Sequence, residues 1–341
     1  MAAAASESIR ENTLRPGPLN LITDVPGIRV GHATDARAAS GVTTLVGDRA
    51  MAAGVDVRGG APGVRETEAL APGALVGHAH AIVLAGGSVF GLAAADGVAT
   101  TLSGAGQGLR ILSHTRAIPI VPAAVLHDLG GEGDKDWSEP PYRSLGVDSV
   151  AAAGRTFALG AIGAGRGARA GHVQGGIGSA SLDLGDGLVV GALVAVNSIG
   201  SVHLPASQVF HAWPFEIDGE FGGARPGAFS PMIDPAPADS RLADMHAPEH
   251  GTSTVIAIVA TSAALNSADC NRVAVMAQDG IARAVRPSHT PFDGDTVFAV
   301  ATGTAPAGRP ADPVLVARIG SAAADCLARA IARGVHEARP R

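Results

Sequence analysis

At Gly251-Thr252-Ser253-Thr254 a segment rich in Pro, Gly, Asp and His, running from Phe210 to Gly251, gives way to the apolar run Val255 to Thr261. Three hydroxyl side chains at a strand entrance hold one kind of reactivity. A hydroxyl beside its own preceding carbonyl can attack it when the backbone is strained, moving the acyl group from nitrogen to oxygen and then cutting the chain. The amino group freed at the new terminus would titrate near ~7.7 to 8.0, so at neutral pH a good fraction can take the hydroxyl proton in later turnovers. Thr and Ser also simply open strands, and spacing alone favours that plainer reading.

Two further places could complete such a site. In His289-Thr290-Pro291-Phe292-Asp293-Gly294-Asp295-Thr296 two carboxylates flank a glycine just before an apolar strand. If both enter one pocket, burial and like-charge repulsion raise one apparent pKa and make it a usable proton donor. An ordinary Asp-Gly turn and a partly filled calcium loop remain open. Asn197 ends the apolar run Leu188 to Val196, where its amide could donate to an oxyanion or simply form a turn.

Other features carry less. The amides of Gly86, Gly87 and Ser88, ahead of a helix, could face an anion or a substrate carbonyl. Gly163 to Gly167 is followed by more glycine rather than a helix, so it reads as loop packing, not a dinucleotide site. No G-x-S-x-G elbow occurs, and a Ser253–His289–Asp293 hydrolase triad has no support in the chain neighbourhood. His78 and His80 share a strand face without a third ligand nearby, which predicts structural histidines and no metal. Cys270 and Cys326, in helical stretches, read as reduced and buried.

These residues must be positioned by alternating elements. Runs at Ile28 to Val30, Val42 to Val46, Ala81 to Ala85, Leu188 to Val196, Thr254 to Thr261 and Thr296 to Ala301 read as strands. Ser88 to Leu102, Ser144 to Ala153, Ser267 to Arg283 and Pro313 to Val335 read as helices, the third capped by Ser267. The fold class is α/β, with residues 210–251 a surface excursion and 1–341 one composite domain. Among 341 residues, 46% are hydrophobic and only 16% charged, which gives ample core and excludes general disorder. A net charge of −6 leaves no basic field for nucleic acid or an anionic membrane. With no signal-peptide core or membrane-length apolar run, the expected location is cytoplasmic.

Several strings together resemble one family, the L-aminopeptidase/D-amidase-esterases with their β-peptidyl aminopeptidases and nylon-oligomer hydrolases. They are Ile22-Thr23-Asp24-Val25 with Gly27 to His32, Asp56 to Gly63 with Arg65-Glu66-Thr67, and Leu84 to Ser88. Gly175 to Ser181, Val194 to Asn197 and His289 to Phe298 extend the resemblance over about residues 20 to 335. It implies a four-layer αββα sandwich and a precursor that cuts itself before Ser253 into residues 1–252 and 253–341. It further implies Ser253 as nucleophile, Asn197 on the oxyanion side, Asp293 and Asp295 as the orienting acidic pair, no cofactor, and tetramers or larger of cleaved heterodimers.

The sequence departs from that pattern at three positions. Thr252 precedes the cut where Asn is common, leaving Thr252 as the alternative nucleophile. Gln174 stands where many relatives have lysine, and the single lysine, Lys135, sits in an acidic cluster. His127 stands where some relatives have a pocket tyrosine. The expected activity is hydrolysis of N-terminal residues from short peptides, amino acid amides or esters. The alternatives are acyl transfer, as in the fold-related ornithine acetyltransferases, and an uncleaved oligomer that only binds small amides.

Overall fold

The computed structural model describes residues 14–112, 115–227, 234–245, 253–306 and 311–339. Its strands are β1 (Ile28–Asp35), β2 (Ser40–Val57), β3 (Val64–Arg65), β4 (His78–Ala85), β5 (Ala123–Val125), β6 (Arg169–Ala170), β7 (Val173–Gln174), β8 (Gly176–Asp183), β9 (Val189–Asn197), β10 (Thr254–Thr261) and β11 (Thr296–Ala301). Its helices are α1 (Ala94–Gly104), α2 (Tyr142–Ala151), α3 (Ser267–Ala284) and α4 (Pro313–Glu337). Nine strands form one sheet in the order β3-β5-β4-β2-β11-β10-β9-β8, with β1 paired to β2.

The 18-residue β2 links the two halves of the sheet: one stretch pairs with β1 and β4, and its end pairs with β11. Side-chain alternation then makes three cores. On β10, Val255, Ala257 and Val259 join a cluster with α3 and α4, while Ile256, Ile258 and Ala260 face Ile82, Leu84 and Leu45 from the other half. On β4, Ala81, Val83 and Ala85 turn outward to α1 and α2. Helices outside, facing sheet halves inside: this is the αββα sandwich, and with period-2 strands buried on both faces it explains the continuous apolar runs.

The sequence left three details unread. Gly176 to Asp183 is a buried strand that the apolar runs did not mark. Its glycines let α4 come close, since a Cβ on Gly178 would sit 1.8 Å from the Ala330 carbonyl oxygen. At α3 the cap is Asn266, whose side chain accepts from the Asp269 amide at 2.9 Å, while Ser267 donates instead to the Leu70 carbonyl. The excursion after Phe210 is not all surface, because Phe210 and Phe221 are buried in the α3/α4 core.

Candidate active site

Ser253 precedes β10 and is fully buried. Its backbone makes a parallel bridge to Asp293, and its carbonyl accepts from the Gly294 amide at 3.0 Å and from the Thr254 hydroxyl. Its Oγ has no hydrogen-bond partner among the described residues, unusual for a buried hydroxyl and available to chemistry. Thr252 and Gly251 lie outside the described residues.

The two carboxylates are both buried beside this strand entrance. One Asp295 oxygen accepts from the Val255 amide at 2.8 Å; the other accepts from the His289 amide at 3.1 Å and lies 2.7 Å from His289 Nδ1. Asp293 accepts from the Thr290 amide and hydroxyl, at 2.9 and 2.7 Å, and the Ile199 amide favours its charged form. Burial first, and then the charge of Asp295, pushes Asp293 up to about 6, against the pull of those donors. The Asp56 to Gly63 string supplies the other wall: the amides of Arg58 and Ala61 donate to the carbonyls of Asp295 and Asp293. A Cβ on Gly59 would lie 2.1 Å from the Asp293 carbonyl oxygen, so only glycine permits this approach.

Asn197 ends β9 opposite Thr254, one residue from Ser253. Its Oδ1 accepts from the Arg169 amide at 2.9 Å, and its Nδ2 donates to the His127 carbonyl at 3.2 Å. A cavity of about 400 Å³ opens beside it, lined by His127, Asp128, Arg169, Arg241 and Asp244 among others. A second cavity of about 440 Å³ adjoins Thr254 and is mostly apolar, with Val64, Val89, Leu92 and Val125. His127 lines both.

The glycine pair has a different task from the one its position suggests. The Gly86 amide donates to Gly41, the Gly87 amide to Asp128 at 2.8 Å and the Ser88 amide to Leu126, so none of the three is left for an anion. A Cβ on Gly86 would meet Asp128 and Ser40, and one on Gly87 would meet Tyr142. Both glycines therefore make room for a buried Asp128–Ser40–Tyr142 chain, with Ser40 donating to Asp128 at 2.7 Å and Tyr142 donating to Ser40 at 3.0 Å. Burial raises Asp128 above its usual range. Of the trio, Ser88 lines the apolar cavity.

Gln174 points back into its own hairpin, its amide donating to the Ala168 carbonyl at 2.9 Å. It braces the turn whose Arg169 amide holds Asn197. Sequence reasoning passed over Arg169 and Arg241, because isolated arginines in loops carry no spacing signal. Among the described residues no group of three His, Cys, Asp or Glu side chains is placed to hold a metal, and no helix is long and apolar enough to cross a membrane.

Residues 20–340 match the model of peptidase family S58. The chain belongs to that family. An uncharacterized aminopeptidase of Mycobacterium tuberculosis (strain ATCC 25618 / H37Rv) is 43% identical over 338 residues, covering 94% of this chain and 95% of the relative. The 6-aminohexanoate-oligomer endohydrolase of Paenarthrobacter ureafaciens is 31% identical over 291 residues, covering 82% of this chain and 74% of that one. Among solved structures, a Burkholderia sp. β-aminopeptidase superposes with a TM-score of 0.68 at 23% identity, over 94% of this chain and 87% of that chain. The L-aminopeptidase D-Ala-esterase/amidase of Ochrobactrum anthropi, described as a variant of the N-terminal nucleophile hydrolase fold, also scores 0.68, at 19% identity, covering 94% and 86%. This S58 chain is therefore a hydrolase with that fold.

Proposed function

We propose that this S58 hydrolase is a self-processing aminopeptidase or amidase acting on short peptides, amino acid amides or esters. The observation that carries the reading is the fully buried, unpartnered Ser253 Oγ at a strand entrance flanked by Asp293, Asp295 and Asn197. In the first event Oγ adds to the Thr252 carbonyl, the C–N bond breaks, and the hydroxyl proton ends on the nitrogen. Water then hydrolyses the ester, leaving a carboxylate at Thr252 and a free amine at Ser253.

In turnover that amine takes the Oγ proton as Oγ attacks the substrate carbonyl. The Asn197 amide steadies the oxyanion, the proton passes from the amine to the leaving group, and water then hydrolyses the acyl ester, returning the hydroxyl to Ser253. Asp295, bonded to the Val255 amide, fixes the strand behind the nucleophile. The Asp293 charge balances the ammonium formed during proton transfer. The two cavities beside Asn197 and Thr254 suit small substrates, with His127 between them and Ser88 on the apolar side. No cofactor enters this scheme. The working form in this reading is a larger oligomer of cleaved heterodimers in the cytoplasm.

Intact mass and N-terminal sequencing after prolonged incubation test the proposal. Two chains, one starting at Ser253, are expected, and Ser253→Ala should stay whole and lose amidase activity. A new terminus at Thr252 would move the nucleophile by one residue. A chain that stays whole yet binds small amides would favour the binding-protein alternative.

A further inference from the structure

Three consecutive carbonyls at the end of β9 converge on one residue. The Arg241 guanidinium donates through Nη2 to the Asn197 carbonyl at 3.0 Å and to the Ser198 carbonyl at 2.9 Å, and the Arg241 amide donates to the Ile199 carbonyl at 2.9 Å. On its other side this short segment faces the acidic pair, the Ile199 amide favouring the charged form of Asp293. Arg241 opens a 3-10 turn, Arg241–Asp244, on the stretch that leads towards the proposed cut. We propose that Arg241 is a positioning residue that holds the Asn197–Ile199 segment, and through it the oxyanion-side amide and Asp293, in the reactive arrangement on both sides of chain cleavage.

The argument is one of charge and geometry. A guanidinium presents a planar fork and can hold neighbouring carbonyls at fixed angles, whereas an ammonium is a point charge. Burial brings Arg241 down to about 10, still fully charged at neutral pH, so its bonds to carbonyls are charge-assisted. The Asn197 side chain is already fixed at its oxygen by the Arg169 amide. With the backbone pinned and Nδ2 donating to the His127 carbonyl, the donor is held in place, and catalysis by a preorganised donor is sensitive to small displacements of it.

The inference rests on the nucleophile reading above, so the test separates the two. Arg241→Gln, Arg241→Lys and Ser253→Ala would be compared with the wild-type enzyme on the best of a panel of aminoacyl p-nitroanilides, with rates normalised to acyl-enzyme burst amplitude. In Arg241→Gln, kcat should fall about 10- to 100-fold with KM unchanged within about twofold, and Arg241→Lys should recover part of the loss. A purely structural role would lower the burst amplitude and leave normalised kcat alone, which overturns the proposal. Full activity, or a loss confined to KM, also overturns it. If Arg241→Gln does not fold, Arg241→Lys decides alone, and a wild-type kcat there refutes the assignment. Activity surviving in Ser253→Ala refutes the nucleophile instead, whereas a dead Ser253→Ala beside a fully active Arg241→Gln refutes Arg241 only.

Discussion

Two clusters of largely sequestered acids in this molecule are treated in opposite ways. Glu220 meets Arg329 at 2.5 Å, with Arg333 at 3.5 Å; Arg329 is 1% exposed and also donates to the Ser181 carbonyl and to Asn20. Every charge there has an opposite charge, and the cluster ties α4 to the N-terminal segment and to the 210–227 loop. Asp293 and Asp295 instead lie one glycine apart, and the groups bonded to them are backbone amides, the Thr290 hydroxyl and His289. Neutralised burial builds structure, whereas like charges buried together leave a proton affinity displaced towards neutral pH. That displaced affinity is useful only beside a reacting group, and Ser253 is bridged to Asp293.

The comparison breaks most sharply under Asp293→Asn. Activity should fall about 10²- to 10⁴-fold, the range for removing a group that handles protons, while the chain stays folded. Below the limb that the amine sets near ~7.7 to 8.0, the wild-type kcat/KM profile should steepen as pH falls through about 6, and the variant should lack that second limb. A variant with full activity and the same limb would show that Asp293 is only a turn residue.

Next in size is Arg329→Met, which keeps the apolar stem and leaves Glu220 buried. Breaking such a pair costs about 3 to 5 kcal/mol, here at the low end because Arg333 remains near. Urea unfolding should show this loss with normalised kcat unchanged. Adding Glu220→Gln should restore most of it, and failure to do so would contradict the account of Arg329 as a partner for one acid.

How far such a distinction can be read from sequence depends on range. Strands β10 and β11 were readable to the residue because their burial on both faces shows as an unbroken apolar run. The Asp-Gly-Asp string and Asn197 were readable as candidates because each sits at the end of such a run. By contrast β8 was hidden by its own glycines, which exist to admit α4. Arg241 and Arg329 were invisible, since the Asn197 to Ile199 carbonyls that Arg241 binds and the Glu220 carboxylate that Arg329 binds are remote in the chain, and no local pattern marks them. The Gly86-Gly87 pair was conspicuous but misleading: its meaning lies in Tyr142 and Asp128, which arrive from another element.

A smaller effect is expected on stability against pH. Asp293 moves from 3.8 to about 6 on folding, so between those values the folded chain binds more protons than the unfolded one. Stability therefore falls as pH rises through that window, by at most roughly 3 kcal/mol for about two units. Buried His203 and half-buried His32 and His211, each lowered to about 4 mainly by desolvation, act the other way, gaining stability as pH rises from about 4 to 6.5. The difference between uncut Ser253→Ala chains with and without Asp293→Asn isolates the carboxylate, because the histidine contribution cancels. Urea midpoints that run parallel from pH 4 to 7 would remove the claim that Asp293 is displaced.

The smallest effect sharpens the same point within the pair. The Thr290 hydroxyl donates to Asp293 at 2.7 Å and favours its ionised form, opposing burial and Asp295. Thr290→Val keeps the shape and removes that donor, while the Thr290 amide stays in place at 2.9 Å. A hydrogen bond to a charged group contributes about 1.5 to 3 kcal/mol, part of which nearby polar groups or water recover, so the acid limb should move up by about one pH unit. Because the shift is upward, activity at pH 6.5 should fall more than at pH 8, and that ratio needs no absolute rate. A limb that stays in place would mean that the hydroxyl only shapes the loop and that burial, Asp295 and the backbone amides set the proton affinity of Asp293.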